Sequence, residues 1–353
     1  MSLPDEKSAA LAEALETAQQ IAKKKIPVPG LDSLKTLVPI LQDGKKLAAA
    51  CAVLQRARNE ASDPWITERL ATCLADYARQ VQQEDGDPPI FDQVKNVLVK
   101  ELKRSWWFRV ATNALKTLAQ APSWQPKERV WIIQQLALCT YKDEERLPAV
   151  RFEEALTLLK SIGLCNPDTV NPAEVDPSTI PETLGLGGAV YKRKWEYDGQ
   201  IEHLYQALIF YRSAWLHPSN EDKGYGGVNA AYILDVLASR EKILALRSGL
   251  ETTGLTSWRE DAKELRREMK EELPKIAAQK EESREYPGIT KEYWYQVTMA
   301  EIHFGLQEYE DAGEWLGRAR PIPIRDEPVN CLHVHAIPDI SRDVTTQISK
   351  QIV

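Results

Sequence analysis

The chain lacks any apolar run near the eighteen or so residues that a membrane-crossing helix needs, so no transmembrane span is expected. Its first twenty residues carry acids where a secretory leader would have an apolar centre, and the expectation is a cytoplasmic location. Cysteine is scarce. The five residues Cys51, Cys73, Cys139, Cys165 and Cys331 are scattered, odd in number and mostly set in apolar helical patterns, which reads as reduced core thiols. Also missing are a Gly-x-Ser-x-Gly elbow, a His-Glu-x2-His zinc helix, a cysteine-protease signature and a Gly-Lys-Ser/Thr phosphate loop. With no recognisable set of nucleophile, base and orienting group, the chain is expected to be non-catalytic and to hold no cofactor. An excess of positive charge is absent too: the formal net charge is −7 and the pI near 5.5, which argues against a general nucleic-acid binder.

What is present is helical periodicity. It runs through nearly every segment longer than ten residues, with no convincing series of alternating strands, so the chain reads as all-α. The patterns predict helices over about 5–24, 31–42, 45–60, 63–83, 89–103, 105–121, 126–141, 148–163, 181–197, 199–216, 227–248, 256–282, 290–306 and 308–320. Short connections make neighbours antiparallel. Pro27, Pro29 and Gly30 follow the first helix, and the longest break is the linker 166–181 with Pro167, Pro172, Pro177 and Pro181, expected to pack as an ordered loop. After Pro321 and Pro323, CLHVHAIPDI reads as one short extended segment, followed by a weakly ordered polar end. Cys331, His333 and His335 alternate there and would share one face of a strand, but a fourth ligand is not evident, so no metal is expected.

A small-large-small spacing recurs along the helices as Ala50, Leu54, Ala57; Ala114, Leu118, Ala121; Ala155, Leu159, Ile162; Ala207, Tyr211, Ala214; and Ala312, Leu316, Ala319. Small residues let two helices approach and the larger one fills the gap between them. Gly188-x2-Tyr191 followed by Ala207-x3-Tyr211-x2-Ala214 has the spacing of a tetratricopeptide helix pair. The intervals are irregular: Ala155 to Ala207 spans 52 residues and Ala207 to Ala312 spans 105, against a regular repeat of about 34. The expected fold is an irregular tetratricopeptide-like solenoid of antiparallel helix pairs. From Tyr191 to Ala207 the offset is 16, where the regular value is about 9, so the first helix should be longer by about two turns, filled by KRKWEYDG.

The phrases LALCTYKDEERLPAVRFEEALTLLKSIGL, LGLGGAVYKRKWEYDGQIEHLYQALIFYRSAW, GYGGVNAAYILDVLA and YWYQVTMAEIHFGLQEYEDAGEWLGRA occur in that order within a stretch of about residues 126–320. They resemble the tetratricopeptide-repeat sensor family, also described as the TRAFs-binding domain of apoptosis signal-regulating kinases. The resemblance implies a regulatory, non-catalytic module. In bacterial conflict systems such modules accompany effectors such as caspase-like or trypsin-like proteases and are proposed to sense a nucleotide-derived signal; in the animal kinases the region is a protein-interaction platform. The expected organisation is therefore an N-terminal helical region over 1–125, a sensor domain over 126–320 and a tail over 321–353. Residues 1–125 lack the four phrases and would be further degenerate repeats or an effector-contacting adaptor.

Several residues have the chemistry of a ligand site. Tyr225, Gly226 and Gly227 stand at the start of a predicted helix whose exposed N–H groups would favour an anion, although such a loop is more often only a tight turn. Lys192 and Arg193, with Lys194 beside them, follow Tyr191 and precede Trp195 and Tyr197, pairing cations for a phosphate with aromatics for a ring. The plainer alternative is a solvated basic face paired with Glu196 or Asp198. If the first helices of successive pairs line one surface, Tyr191 and Lys192, then Tyr225 and Asn229, then Trp294, Thr298 and Glu301 would converge. Tyr141 and Lys142 are candidates for the rim of that groove, or simply the end of a helix. His303, between apolar neighbours, reads as a packing residue. The Lys95, Lys100, Lys103, Arg104, Trp106, Trp107, Arg109 run has nucleic-acid-binding residue types, but helical spacing spreads it around the cylinder, so it reads as packing with a basic exposed side. Gly185-x-Gly187-Gly188 lacks the spacing and the preceding strand of a dinucleotide fingerprint.

Together these readings describe a sensor that holds a small anionic nucleotide-derived ligand, possible examples being NAD or ADP-ribose, and controls an effector protein. The alternative is a protein-protein interaction scaffold without a small molecule. Neither membrane nor nucleic acid is expected as a partner.

Overall fold

The computed structural model of the chain describes residues 3–61, 63–83, 103, 107–120, 124–164, 180–217, 224–249, 257–284 and 288–319. Outside these lie most of the predicted helix over 89–103, the linker up to 179, and the whole tail with Cys331, His333 and His335, together with Cys165, Ala121, Lys95, Lys100, Arg104 and Trp106. Among the described residues there are thirteen α-helices, one 3-10 turn and no strand, so the chain has the all-α helical-repeat fold that its periodicity predicts. No described helix is long and apolar enough to cross a membrane.

Two compact units divide the chain, Met1–Leu147 and Pro148–Val353. The first contains α1 (Leu3–Ala22), α2 (Leu31–Asp43), α3 (Leu47–Glu60), α4 (Pro64–Gln83), α5 (Phe108–Ala119) and α6 (Pro126–Lys142). Here α3 packs on α4, α4 on α5 and α5 on α6. Local chemistry sets the helix starts: the N–H groups of Trp65 and Ile66 donate to Asp63 Oδ1 at 2.8 and 3.3 Å, and α6 opens with Pro126 inside a capping box of Gln125 and Glu128. At the other end of α5, the Trp124 indole donates to the Leu118 carbonyl at 2.8 Å, which satisfies a carbonyl that the helix leaves without a partner. Cys51, Cys73 and Cys139 are free, buried thiols. Burial pushes Cys73 up to about 12 and Cys139 up to about 11, so they are packing groups.

The second unit contains α7 (Pro148–Lys160), α8 (Ile180–Asp198), α9 (Ile201–Trp215), α10 (Tyr225–Arg247), α11 (Ser257–Glu282), a 3-10 turn (Ile289–Lys291), α12 (Tyr293–Gly305) and α13 (Tyr309–Ala319). The pairs α8/α9, α10/α11 and α12/α13 pack internally, α9 packs on α10 and α11 on α12, while the first helices α8, α10 and α12 touch in turn. That alternation is how a helical repeat buries a face that no single pair could cover. Every described alanine of the recurring spacing is buried, and Tyr211 is the largest fully buried side chain among the described residues. Its ring lies where a Cβ on Gly188 would come to 2.8 Å, so glycine at 188 is what allows α8 and α9 to close on the aromatic. The predicted lengthening of α8 is present: its buried face ends at Val190, and 191–198 continue the helix with rising exposure until Gly199, at φ 71°, ends it. The second pair is longer still, with 23 and 26 residues against 13 and 11 in the third.

Candidate functional site

The basic triplet on α8 is split three ways, because consecutive helical residues point about 100° apart. Lys194 forms an ion pair with Glu153 of α7 and holds that carboxyl below its ordinary range, and Arg193 pairs with Glu196 one turn on. Lys192 instead turns toward α10. Its ammonium donates to Asn229 Oδ1 at 3.3 Å and stands 4.6 Å from the centre of the Tyr232 ring. Burial pulls its pKa below the ordinary lysine value, opposed by the negative charges of Glu196 on α8 and Glu301 on α12 and assisted by the positive charge of Arg193.

Asn229 is 1% exposed and its amide is held in place, with Nδ2 donating to the Tyr225 carbonyl one turn earlier at 2.9 Å. Only Oδ1 is left to face the lysine, so Asn229 positions Lys192. Tyr225 is wedged between two helices: its ring meets Tyr211 edge-on at 5.7 Å, the two hydroxyls lie 3.4 Å apart, and a Cβ on Gly185 would stand 3.4 Å from it. Tyr232 and Glu196 belong to this cluster but were not among the sequence candidates. Tyr232 follows Asn229 by three residues and so shares its helix face, which was the available signal.

Other candidates go elsewhere. Tyr191 turns to α9, stacking on Phe210 at 5.6 Å and tilting on His203 at 6.1 Å. Trp195 is half-buried and Tyr197 exposed, the latter edge-on to Phe152 at 6.4 Å. Gly226 and Gly227 do not precede the helix: α10 starts at Tyr225, two residues earlier than its pattern suggests, and both glycines are buried in the first turn. A Cβ on Gly227 would meet Met269 Sδ at 2.6 Å and the Trp215 ring at 3.2 Å, so close packing explains it. Gly224, before them, adopts φ 84° and sits against Thr298 Cγ2 of α12. Trp294 lines a small cleft with Leu273, Ala277 and Lys280 of α11 and Ile289 of the 3-10 turn. Gly185, Gly187 and Gly188 lie inside α8, not in a strand-to-helix turn.

In the first unit, Tyr141 is 3% exposed in the last turn of α6, and Lys142 lies 5.7 Å from the Phe108 ring of α5. Asp143 follows, 2% exposed, accepting from Arg109 Nε at 2.6 Å and from the Glu145 N–H at 3.2 Å. Lys103 is buried and donates to Gln135 Oε1 at 2.6 Å. His303 is a packing residue: Nδ1 meets Glu308 Oε2 at 2.6 Å, the ring stacks toward Trp315, and Lys270 holds both oxygens of Glu308.

What the arrangement offers is a half-buried cation beside an aromatic ring, with its helix neighbours already neutralised, at the contact of two successive first helices, α8 and α10. No curated protein matches the chain. Residues 107–234 match the model of a family described as Tetratricopeptide Repeats-Sensor; the match takes in the first two sequence phrases, ends within the third, and leaves the fourth beyond it. The match supports, over residues 107–234, the resemblance read in the sequence.

Proposed function

We propose that the chain is a non-catalytic sensor module whose Lys192 cluster binds a small anionic nucleotide-derived ligand, of the ADP-ribose or NAD type, and thereby controls an effector protein such as a caspase-like or trypsin-like protease. The observation that carries this reading is the partnering of Lys192. Arg193 and Lys194 are matched by carboxylates at contact distance, whereas Lys192 is set against an amide oxygen and an aromatic face. An incoming phosphate would gain a charge-assisted hydrogen bond there, and the Tyr232 ring, 43% exposed, offers a stacking surface. Because the cluster is built from α8 and α10, a ligand that draws on Lys192 alters the contact between successive repeats. Signalling further requires that the ligand prefer one repeat arrangement to another.

Thermal-shift measurements with ADP-ribose isomers, NAD and cyclic dinucleotides test the reading. At least one should raise the melting temperature of the native chain, and the shift should vanish in Lys192→Ala and shrink in Asn229→Ala. An unchanged shift in both variants removes the Lys192 cluster as the binding site. A second reading, a scaffold for a protein partner, draws on the exposed Ile243, Leu244 and Leu246 in the last turns of α10. It gains if no nucleotide shifts the native chain while a partner is captured in nucleotide-free buffer.

A further inference from the structure

The C-terminal turns of α10 present a surface that packing leaves uncovered. α10 has 23 residues against 15 in α9, which packs on it, so its last turns have no counterpart there. One line of those turns points inward. Leu237 and Ala245 are buried, and Glu241 between them is half-buried, its Oε2 enclosed and without a hydrogen-bond partner. At about 100° per residue, Ile243 and Leu246 fall opposite that line, with Lys242 on one side of them and Arg240 and Arg247 on the other. Ile243, Leu244 and Leu246 are 50%, 51% and 60% exposed, and the three cations are exposed too. None of these cations is ion-paired with a described residue, whereas on α11 Lys263, Lys270 and Lys275 are matched by Glu260, Glu308 and Glu272. Glu241 is the one acid over 239–247, and it faces in, so the outer face is an aliphatic strip flanked by positive charge.

Such a strip is one half of a helix pair: aliphatic side chains pack along the seam, and the charges beside it choose the partner. We infer that the C-terminal turns of α10 dock an amphipathic helix of a partner protein whose aliphatic stripe is flanked by glutamate or aspartate. This rests on the proposed function only in that the chain acts on a protein; the Lys192 cluster, which meets α10 at Asn229 and Tyr232, is not involved. A negatively charged bilayer is the poorer match, because the chain as a whole carries −7 and would be repelled by it. An acidic helix gains from the same three cations and covers the aliphatic side chains as well.

The test is fluorescence anisotropy of the full chain with two labelled amphipathic peptides, each about three heptads long with leucine along the seam, one flanked by glutamate and the other by lysine. The glutamate peptide should bind the native chain at least about ten-fold more tightly than the lysine peptide, and the difference should shrink as salt is added. Ile243→Asp combined with Leu246→Asp should abolish binding. Lys242→Glu combined with Arg247→Glu should reverse the preference between the peptides. Because all four side chains are exposed, the melting temperature should stay unchanged, which separates a lost contact from a lost fold. Lys192→Ala should bind both peptides as the native chain does. Equal affinity for the two peptides, no binding of the glutamate peptide, or binding that survives Ile243→Asp with Leu246→Asp overturns the docking surface. So does co-sedimentation with phosphatidylserine vesicles in the absence of peptide binding. A nucleotide-dependent thermal shift lost in Lys192→Ala would still stand in each of these cases, so the two sites fail separately.

Discussion

The same dipeptide, tyrosine followed by lysine, occurs at Tyr141-Lys142 in the first unit and at Tyr191-Lys192 in the second, and the two end up in different chemistry. At the first, the helix stops. Lys142 is the last residue of α6, its charge over Phe108, and the following Asp143 is tied to Arg109 and to the next turn. At the second, the helix continues to Asp198, so the lysine projects sideways from an intact turn and meets the next pair of helices at Asn229 and Tyr232. The difference teaches that the dipeptide by itself does not fix the surroundings of its lysine. What sets Lys192 apart is the helical extension that follows it and the particular residues α10 presents to it.

The comparison can be broken first through packing. Replacing Gly188 with leucine would drive a side chain into the fully buried Tyr211 ring and separate α8 from α9. The expected loss is about 3 kcal/mol, from overpacking, seen as a lower urea midpoint. Nucleotide-dependent stabilisation should be lost with it, because Lys192 is carried by the same helix. A midpoint within error of the native chain would show that the two helices are less tightly closed than their geometry indicates.

Asp143→Ala has a smaller effect and sharpens the contrast. It removes a buried acceptor of two hydrogen bonds, but Arg109 is partly exposed and can turn to water, so the cost should be about 1–2 kcal/mol. Nucleotide affinity should stay where it was. A large change in affinity without loss of stability would move the ligand toward the end of α6.

Weaker again is a pH effect specific to Lys192. Its folded pKa lies below the 10.5 of an ordinary lysine. The folded state therefore gives up this proton first as pH rises, so the group's contribution to stability increases with pH between the folded and the unfolded pKa. Ligand binding runs the other way: an anion prefers the protonated lysine, so affinity should fall as pH climbs through the folded pKa. Lys192→Arg, which stays charged, should remove the fall. Affinity that is flat with pH in the native chain would show that the ammonium does not face the ligand.

Much of the fold was legible because long amphipathic periods dominate the chain. The alanines at 50, 155, 207 and 312 announced close helix contacts, and the extra two turns of α8 followed from one irregular offset. The start of α10 lies two residues earlier than the pattern indicates because glycine disfavours helix, whereas here Met269 and Trp215 pack so close to Gly227 that a Cβ would not fit. At the site, sequence adjacency misled. Tyr191 and Lys192 are neighbours in the chain but point to different helices. Glu196 as the partner of Arg193 could be read from its three-residue spacing, whereas Glu153, 41 residues from Lys194, could not. Tyr232 was hidden among apolar residues that read as core.

The most direct test sets the two lysines against each other. Affinity for whichever nucleotide stabilises the native chain should be measured in Lys192→Ala and in Lys142→Ala under the same conditions. The account predicts at least about a ten-fold loss in the first, the scale of one charge-assisted contact, and a change of less than about three-fold in the second. Equal losses in both, or a loss confined to Lys142→Ala, would contradict it.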